Sequence, residues 1–389
     1  MCKSHITSKM KKILIHFLFI FHFYFILNAA IPSGYYDSAN GLDDNALKAA
    51  LNNIIDGHTE FPYSSSSTDV WDILKLSDRD PNNSNNVLCV YTQYSINASD
   101  EYNSGNGWSR EHVWAKSHGD FGTSTGAGTD LHNLKPADIS VNSTRNNKDF
   151  GEGGDAVIDN SPPSGYNGST DCFKTSTTFE PPDSIKGDIA RIIFYMVVRY
   201  EGENGEVDLE MVNYDDSSPS GEPYHGIQSV LYSWHIADAV SSFEQNRNDI
   251  IYSYQGNRNP FIDHPEYANY IWGGESPTIN AEPTNHITNL SLGRMVTLTW
   301  TDPTSGVLPD GYLIKASTVG FSSIANPSDG VIESSSNVLK YVSYGIGTTT
   351  LSPLSKNSTY YIKIFPYTNS GSNINYKINS PEQITLTIN

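Results

Sequence analysis

The stretch SREHVWAKSHGD, Ser109 to Asp120, packs two histidines, an arginine, a glutamate and an aspartate around a Val-Trp-Ala patch. Such a run is either a solvated turn or a reactive centre. The chemistry it could supply is phosphodiester hydrolysis: an imidazole takes a proton from water near neutral pH, and a carboxylate holds a hard cation against a phosphate. Glu111 and His112 are adjacent, so in an extended segment they point to opposite faces. Both reach one site only at a strand end or a bent turn. A second polar run, DLHNLKPADISVNSTRNN (130–147), sets Asp130, His132, Asn133, Asn142, Arg145, Asn146 and Asn147 between Leu131, Leu134, Ile139 and Val141. That pattern suits a polar surface held by a packed hairpin or helix start.

These groups need a scaffold, and the flanking sequence predicts one. LDDNALKAALNNII (42–55) reads as an amphipathic helix stopped by Gly57, and SIKGDIARIIFYMVVRY (184–200), opening after Pro181 and Pro182, as a helix buried under the active surface. A third helical stretch runs from about 224 to 253 with a break near Ala237. Residues 64–69, 97–107 and 151–170 are rich in Ser, Asn and Gly and read as loops. Past residue 280, VTLTW (296–300), GYLIKAS (311–317) and TYYIKIFPYT (359–368) alternate apolar and polar residues, as in a small β-sandwich. This part resembles a fibronectin type III domain, with Trp300 as a core aromatic and Tyr360 or Tyr361 on the later strand. The expected fold class is α+β: a catalytic motif embedded in a mainly helical body with long loops, plus a C-terminal sandwich.

Taken together, REHVWAKSHGDFG, TDLHNLKPADISVNSTRNNKDF, KGDIARIIFYMVVRY and NRNDIIYSYQGNRNPFIDHPEYANYIW resemble the bacterial endonuclease I and secreted ribonuclease family of His-Me finger (ββα-metal) nucleases. The resemblance covers roughly 32–275 in consistent order. It implies that His112 is the general base, that Glu111 and Asn142 ligate one divalent cation, Mg²⁺ with Mn²⁺ or Ca²⁺ as alternatives, and that water and phosphate oxygens complete the coordination. It further implies DNA or RNA as substrate and 5′-phosphate and 3′-hydroxyl products. Ala115 stands where the family usually has proline. Some relatives carry a phosphate-holding arginine between the two blocks, and residues 117–129 contain none. That role is expected to pass to Arg145, Lys116, Lys135 or a later residue such as Arg258. His132 is expected at the catalytic centre, orienting the motif or touching substrate, and His118 as a phosphate contact or a support behind one. Asp130 braces its loop, Asp263 and His264 fix the terminal loop, and Asp188 and Arg191 pair on the buried helix as scaffold.

Composition sets outer limits. Lysines at 11 and 12, the apolar run 13–27 and small residues at 29–30 read as a secretory signal, so residues 1–30 are expected to be removed, with 31–280 as the nuclease domain and 281–389 as the sandwich. Cys2 falls in the removed segment, leaving Cys89 and Cys172, whose pairing stays open. The net charge is −19, and residues 31–280 hold 14 basic against 37 acidic side chains. A polyanionic substrate therefore requires locally focused basic groups and a cation. No zinc finger or basic recognition helix is evident, so non-specific backbone contact is expected. The expected protein is a soluble secreted monomer without stable membrane insertion. The rival reading is an inactive secreted adhesion or carbohydrate-binding protein that uses the sandwich, with a surface or carbohydrate ligand there.

Overall fold

Leu47, Leu51 and Ile55 recur every fourth residue and are fully buried, which makes helix α1 (Asp44–Ile55) an amphipathic strut. Gly57, at φ +68°, takes the left-handed turn that ends it. Helix α2 (Val70–Ser77) opens under Asp69, whose side chain accepts the Asp72 amide at 3.3 Å. The computed structural model describes residues 31–159, 167–215, 221–293, 297–333, 339–352 and 354–388; the expected signal at 1–30 and Cys2 lie outside them.

A hairpin of β1 (Asn86–Leu88) and β2 (Ser95–Asn97) leads to β3 (Trp108–His112). β3 pairs antiparallel with β4 (Leu134–Asp138), and α3 (Ile139–Arg145) follows without a gap. Asp138 makes that sharp passage from strand to helix by accepting the amides of Ser140 at 2.9 Å and Val141 at 3.1 Å. This strand-strand-helix unit rests on a cluster containing Trp108, Leu131, Leu134, Val70 and Ile73, all fully buried.

Next comes a four-stranded sheet in the order β5-β8-β7-β6, from β5 (Asp149–Phe150), β6 (Asp155–Asp159), β7 (Gly168–Lys174) and β8 (Thr178–Glu180). Strands β6 and β7 take up 155–159 and 168–170 of the stretch 151–170, which composition assigns to a loop. Val157 and Asp159 alternate inward, but Gly-rich flanks dilute that short signal. Helix α4 (Lys186–Arg199) is buried nearly all round, as expected of a core helix. Strands β9 (Glu210–Met211) and β10 (Tyr224–His225) form a short parallel pair. The third helical stretch is two helices, α5 (Gln228–Ala237) and α6 (Ser242–Gln255), so its break falls at Ala237, while its expected first residues belong to β10. A capping box between Ser241 and Glu244 starts α6. Arg191 of α4 bonds Glu244 of α6 at 2.6 and 3.0 Å, with Asp188 farther off at 3.6 Å, so the scaffold pairing runs chiefly between helices. Short helices α7 (Pro260–Asp263) and α8 (Tyr267–Trp272) close this part.

The C-terminal part is a β-sandwich. β11 (Thr288–Leu292), β12 (Thr297–Thr301) and β15 (Thr348–Thr350) form one sheet. The other is β14-β13-β16-β17, from β13 (Gly311–Ser317), β14 (Leu339–Ser343), β16 (Ser358–Thr368) and β17 (Asn375–Tyr376), with β18 (Glu382–Ile388) also on β16. Leu298, Trp300, Tyr312, Ile314, Ile362 and Ile364 share its core. Trp300 is therefore a core aromatic. Cys89 and Cys172 are free thiols, buried in separate clusters. Among the described residues, no helix is long and apolar enough to cross a membrane.

Candidate active site

His112 is the last residue of β3, opposite Leu134 on β4, and Glu111 lies opposite Lys135. Because the strand ends there, the two adjacent side chains line one groove of ≈ 390 Å³ together with Arg110, Lys116, Asn142 and Arg145. Asn142 and Arg145 are three apart on α3 and so share a face.

Among the described residues the imidazole of His112 makes one hydrogen bond: Nε2–H donates to the Gly128 carbonyl at 2.9 Å. A carbonyl can only accept, so the neutral ring carries its proton on Nε2 and presents Nδ1 as a base. Tyr63 stacks beside it at 5.8 Å, ring centre to ring centre. Burial, opposed by the Gly128 contact, lowers its pKa to about 4. The ring is thus neutral at neutral pH.

Glu111 is 2% exposed. Its Oε1 accepts the Tyr91 hydroxyl at 2.6 Å and faces Arg145 Nη1 at 3.2 Å, while Oε2 has no hydrogen-bond partner among the described residues. Burial pushes this carboxyl up, and Arg145 and Tyr91 pull it back towards the ionised form. The Asn142 amide nitrogen donates to Ser109 Oγ at 3.1 Å, and Ser109 spends its own proton on the Ala137 carbonyl at 3.3 Å. That chain orients the amide and leaves Oδ1 unused. A carboxylate oxygen and an amide oxygen in one groove are hard donors of the kind that suit Mg²⁺ or Ca²⁺. Among the described residues, no three or more His, Cys, Asp or Glu cluster as a metal cage, so any cation here draws most of its ligands from water and substrate.

Arg145 lines the groove, yet only 1% of it is exposed. Its guanidinium donates to the carbonyls of His112 at 3.0 Å and Val113 at 2.6 Å and to His225 Nε2 at 3.1 Å. With both Nη groups committed inward and Nε buried, Arg145 positions the strand end rather than gripping a phosphate. Lys116 is the exposed cation of the groove.

The remaining expected residues are not brought to this groove. Lys135 is buried against Asp78 at 2.6 Å, an aspartate that also binds Arg247 at 3.0 Å. Arg258 is buried between Asp263 and Asp249, at 2.5 and 2.8 Å. Two internal ion pairs leave neither cation for a substrate phosphate. His118 is buried with its ring nitrogens on the backbone carbonyls of Tyr224 and Asn147. His132, 1% exposed, packs on the Tyr195 ring at 4.4 Å and reaches the Asn257 carbonyl at 3.4 Å. Its neighbour Asp130 accepts the hydroxyls of Tyr195 and Tyr200, both at 2.9 Å, which is the bracing role expected of it. The groove also contains residues that the sequence reading passes over. Arg110 sits two residues before His112, hence on the same strand face, a spacing that could have singled it out. Tyr63 comes from a distant segment, as does Tyr91, which is buried behind Glu111 and does not line the groove; no local pattern marks either.

Comparisons with known proteins give the family. The Endonuclease I family model matches residues 44–266. An extracellular ribonuclease of Bacillus subtilis (strain 168) is 51% identical over 241 residues, which span 61% of this chain and 78% of that protein. An extracellular ribonuclease of Bacillus amyloliquefaciens is 50% identical over 248 residues, 64% of this chain and 81% of that protein. A crystal structure of an FN3 domain of human collagen XX aligns in full with 28% of this chain at 20% identity, with a TM-score of 0.19, too low to bear on the sandwich. The rival reading as an inactive adhesion protein gives way: the chain is a nuclease and belongs to the Endonuclease I family.

Proposed function

We propose that the protein is a secreted, divalent-cation-dependent endonuclease that cuts DNA and RNA without sequence preference, leaving 5′-phosphate and 3′-hydroxyl ends. The observation that carries this reading is the pinned tautomer of His112, whose Nε2 is bound to the Gly128 carbonyl at 2.9 Å in a groove shared with Glu111 and Asn142. His112 Nδ1 accepts a proton from the attacking water. A water nucleophile has no need of the ribose 2′-hydroxyl, so both polymers are chemically admissible. Glu111 Oε2 and Asn142 Oδ1 are the protein oxygens that would hold the cation. A cation there, Mg²⁺ ahead of Mn²⁺ or Ca²⁺, supplies charge stabilisation at the phosphate and the leaving oxygen. Secretion is supported by the signal-like residues 1–30 and by the two Bacillus relatives, both described as extracellular. In this reading residues 31–280 carry catalysis, and 281–389 serve spacing or attachment.

The test is cleavage of plasmid DNA and structured RNA by the mature protein with Mg²⁺, its loss with chelator, and its loss in His112→Ala. General-base removal should cost roughly 10²–10⁴-fold in rate while leaving the fold intact. Absence of cleavage with Mg²⁺, Mn²⁺ and Ca²⁺ alike would overturn the reading.

A further inference from the structure

With Arg145, Lys135 and Arg258 spent on internal partners, the groove lacks an obvious guanidinium for its polyanionic substrate. Arg110 fills that gap. It lines the groove and shares a strand face with His112. Its guanidinium lies over the Tyr63 ring at 3.3 Å and the Trp71 ring at 4.0 Å. Stacking fixes the plane of the group and leaves its N–H edge for in-plane hydrogen bonds.

Those bonds are only partly made. Of five N–H donors, the described acceptors are the Tyr63 carbonyl and the Ser64 hydroxyl, the latter shared by Nη1 and Nη2 at 3.3 Å each. Nε is buried without a partner. Arg145, Arg191, Arg199, Arg247 and Arg258 each have a carboxylate within 4.0 Å, whereas Arg110 has none among the described residues. A half-buried, ring-stacked cation with open donors, which Asp69 and Glu101 reach only at longer range than an ion pair, is a site for an anion.

We propose that Arg110, mounted on Tyr63 and Trp71, is a backbone-phosphate subsite of the groove that grips a phosphodiester next to the one being cut. The subsite rests on the nuclease reading given above. It also reconciles an acidic protein with an acidic polymer: one fixed guanidinium and the exposed Lys116 create a short attractive strip beside His112, despite the net charge of −19. Lysine cannot reproduce the fork, so the subsite distinguishes the two cations.

The experiment uses the full mature chain with Arg110→Gln and Arg110→Lys, both of which retain an extended stem. Binding of a fluorescent single-stranded oligonucleotide is followed by anisotropy in EDTA, which suppresses cleavage, and kcat and KM on DNA and RNA are measured with Mg²⁺ across a salt series. Arg110→Gln should weaken binding about tenfold to a hundredfold, as expected for a lost charge-assisted contact. The slope of log affinity against log salt should become shallower by roughly 0.7, the value for one phosphate on a single strand. Arg110→Lys should recover the slope but not the full affinity. A parent protein that cleaves, beside an Arg110→Gln variant with unchanged Kd and salt slope, removes the subsite and leaves the nuclease reading standing. A parent protein that never cleaves removes the nuclease reading itself. If Arg110→Gln does not fold, Arg110→Lys decides: a Kd at least about threefold weaker supports the fork, and a Kd equal to the parent's overturns it.

Discussion

Arg145 Nη1 lies 3.2 Å from Glu111 Oε1, and both side chains are almost wholly withdrawn from water. Two charges so placed cost solvation that their attraction returns only with further hydrogen bonds. Those bonds are present: Tyr91 donates to the same oxygen, and Arg145 reaches the carbonyls of His112 and Val113. Helix α3 is thereby bolted to the end of β3. One contact set thus fixes the carboxylate, the backbone that carries His112 and the face that presents Asn142.

Arg145→Ala should therefore lose stability and activity together. Leaving Glu111 buried without its counterion should cost about 3–5 kcal/mol in urea unfolding. The remaining folded protein should show a depressed kcat, because the strand end is no longer held. A variant that keeps parental stability while losing only substrate affinity would show that Arg145 meets the phosphate instead.

Asn142→Ala separates cation binding from folding. Asn142 is half-buried, and among the described residues its side chain makes one hydrogen bond, to Ser109, so its loss should cost only about 0.5–1.5 kcal/mol. The Mg²⁺ concentration for half-maximal cleavage should rise about tenfold, the lower end of what lost site ligands and their supports cost. An unchanged Mg²⁺ titration would exclude Asn142 as a cation ligand.

The elements were legible where their periodicity was long. α1 and α4 carry uninterrupted apolar stripes, and the α5–α6 break shows as a change of pattern after Ala237. β6 and β7 were not legible, since five to seven residues with one buried face look like Gly-rich loop. At the site, Glu111, His112 and Asn142 could be named because they lie within two contiguous runs. Charge alone could not tell Lys116, which is exposed, from Lys135, which is buried on Asp78. That difference depends on a partner 57 positions away in the chain. Tyr91 and Tyr63 escape for the same reason: their contacts with Glu111 and His112 exist only after folding.

Acid stability follows from buried histidines away from the groove. Burial lowers His132 to about 3 and His235 to about 4, against an ordinary value near 6.5. Folded, both rings are neutral down to these values; unfolded, both take up protons near pH 6.5. The stability they supply is present above pH 6.5 and is lost as pH falls towards their folded values, by about 1.4 kcal/mol per pH unit for each ring. Asp188, whose carboxyl burial pushes up, acts in the opposite sense. The comparison is therefore differential. His132→Gln with His235→Gln should flatten the fall in urea stability between pH 6.5 and 4.5, and parallel curves for variant and parent would contradict it.

The two parts of the chain should separate near residue 280. Among the described residues no hydrophobic cluster contains residues from both: the N-terminal clusters reach no farther than Trp272, and those of the sandwich begin at Ile287. What joins them is small and polar. Asn373 donates to the Asn40 carbonyl at 2.9 Å, and Gly371 sits so close that a Cβ there would lie 2.3 Å from the Asp37 carbonyl oxygen. Asn280 and Ala281 already bond Asn369 and Thr368 of the sandwich, so the cut proposed at 280 falls at this polar junction. All groove residues lie between Tyr63 and Asn147, so a 31–280 chain should keep kcat/KM within about twofold, as independent units do. Its loss of stability should be confined to the 33–42 segment that the sandwich covers, read as faster amide exchange there and not in α4. A folded but inactive 31–280 chain would show instead that the sandwich completes the nuclease, and Gly371→Ala in the full chain would then depress cleavage by prising the junction apart.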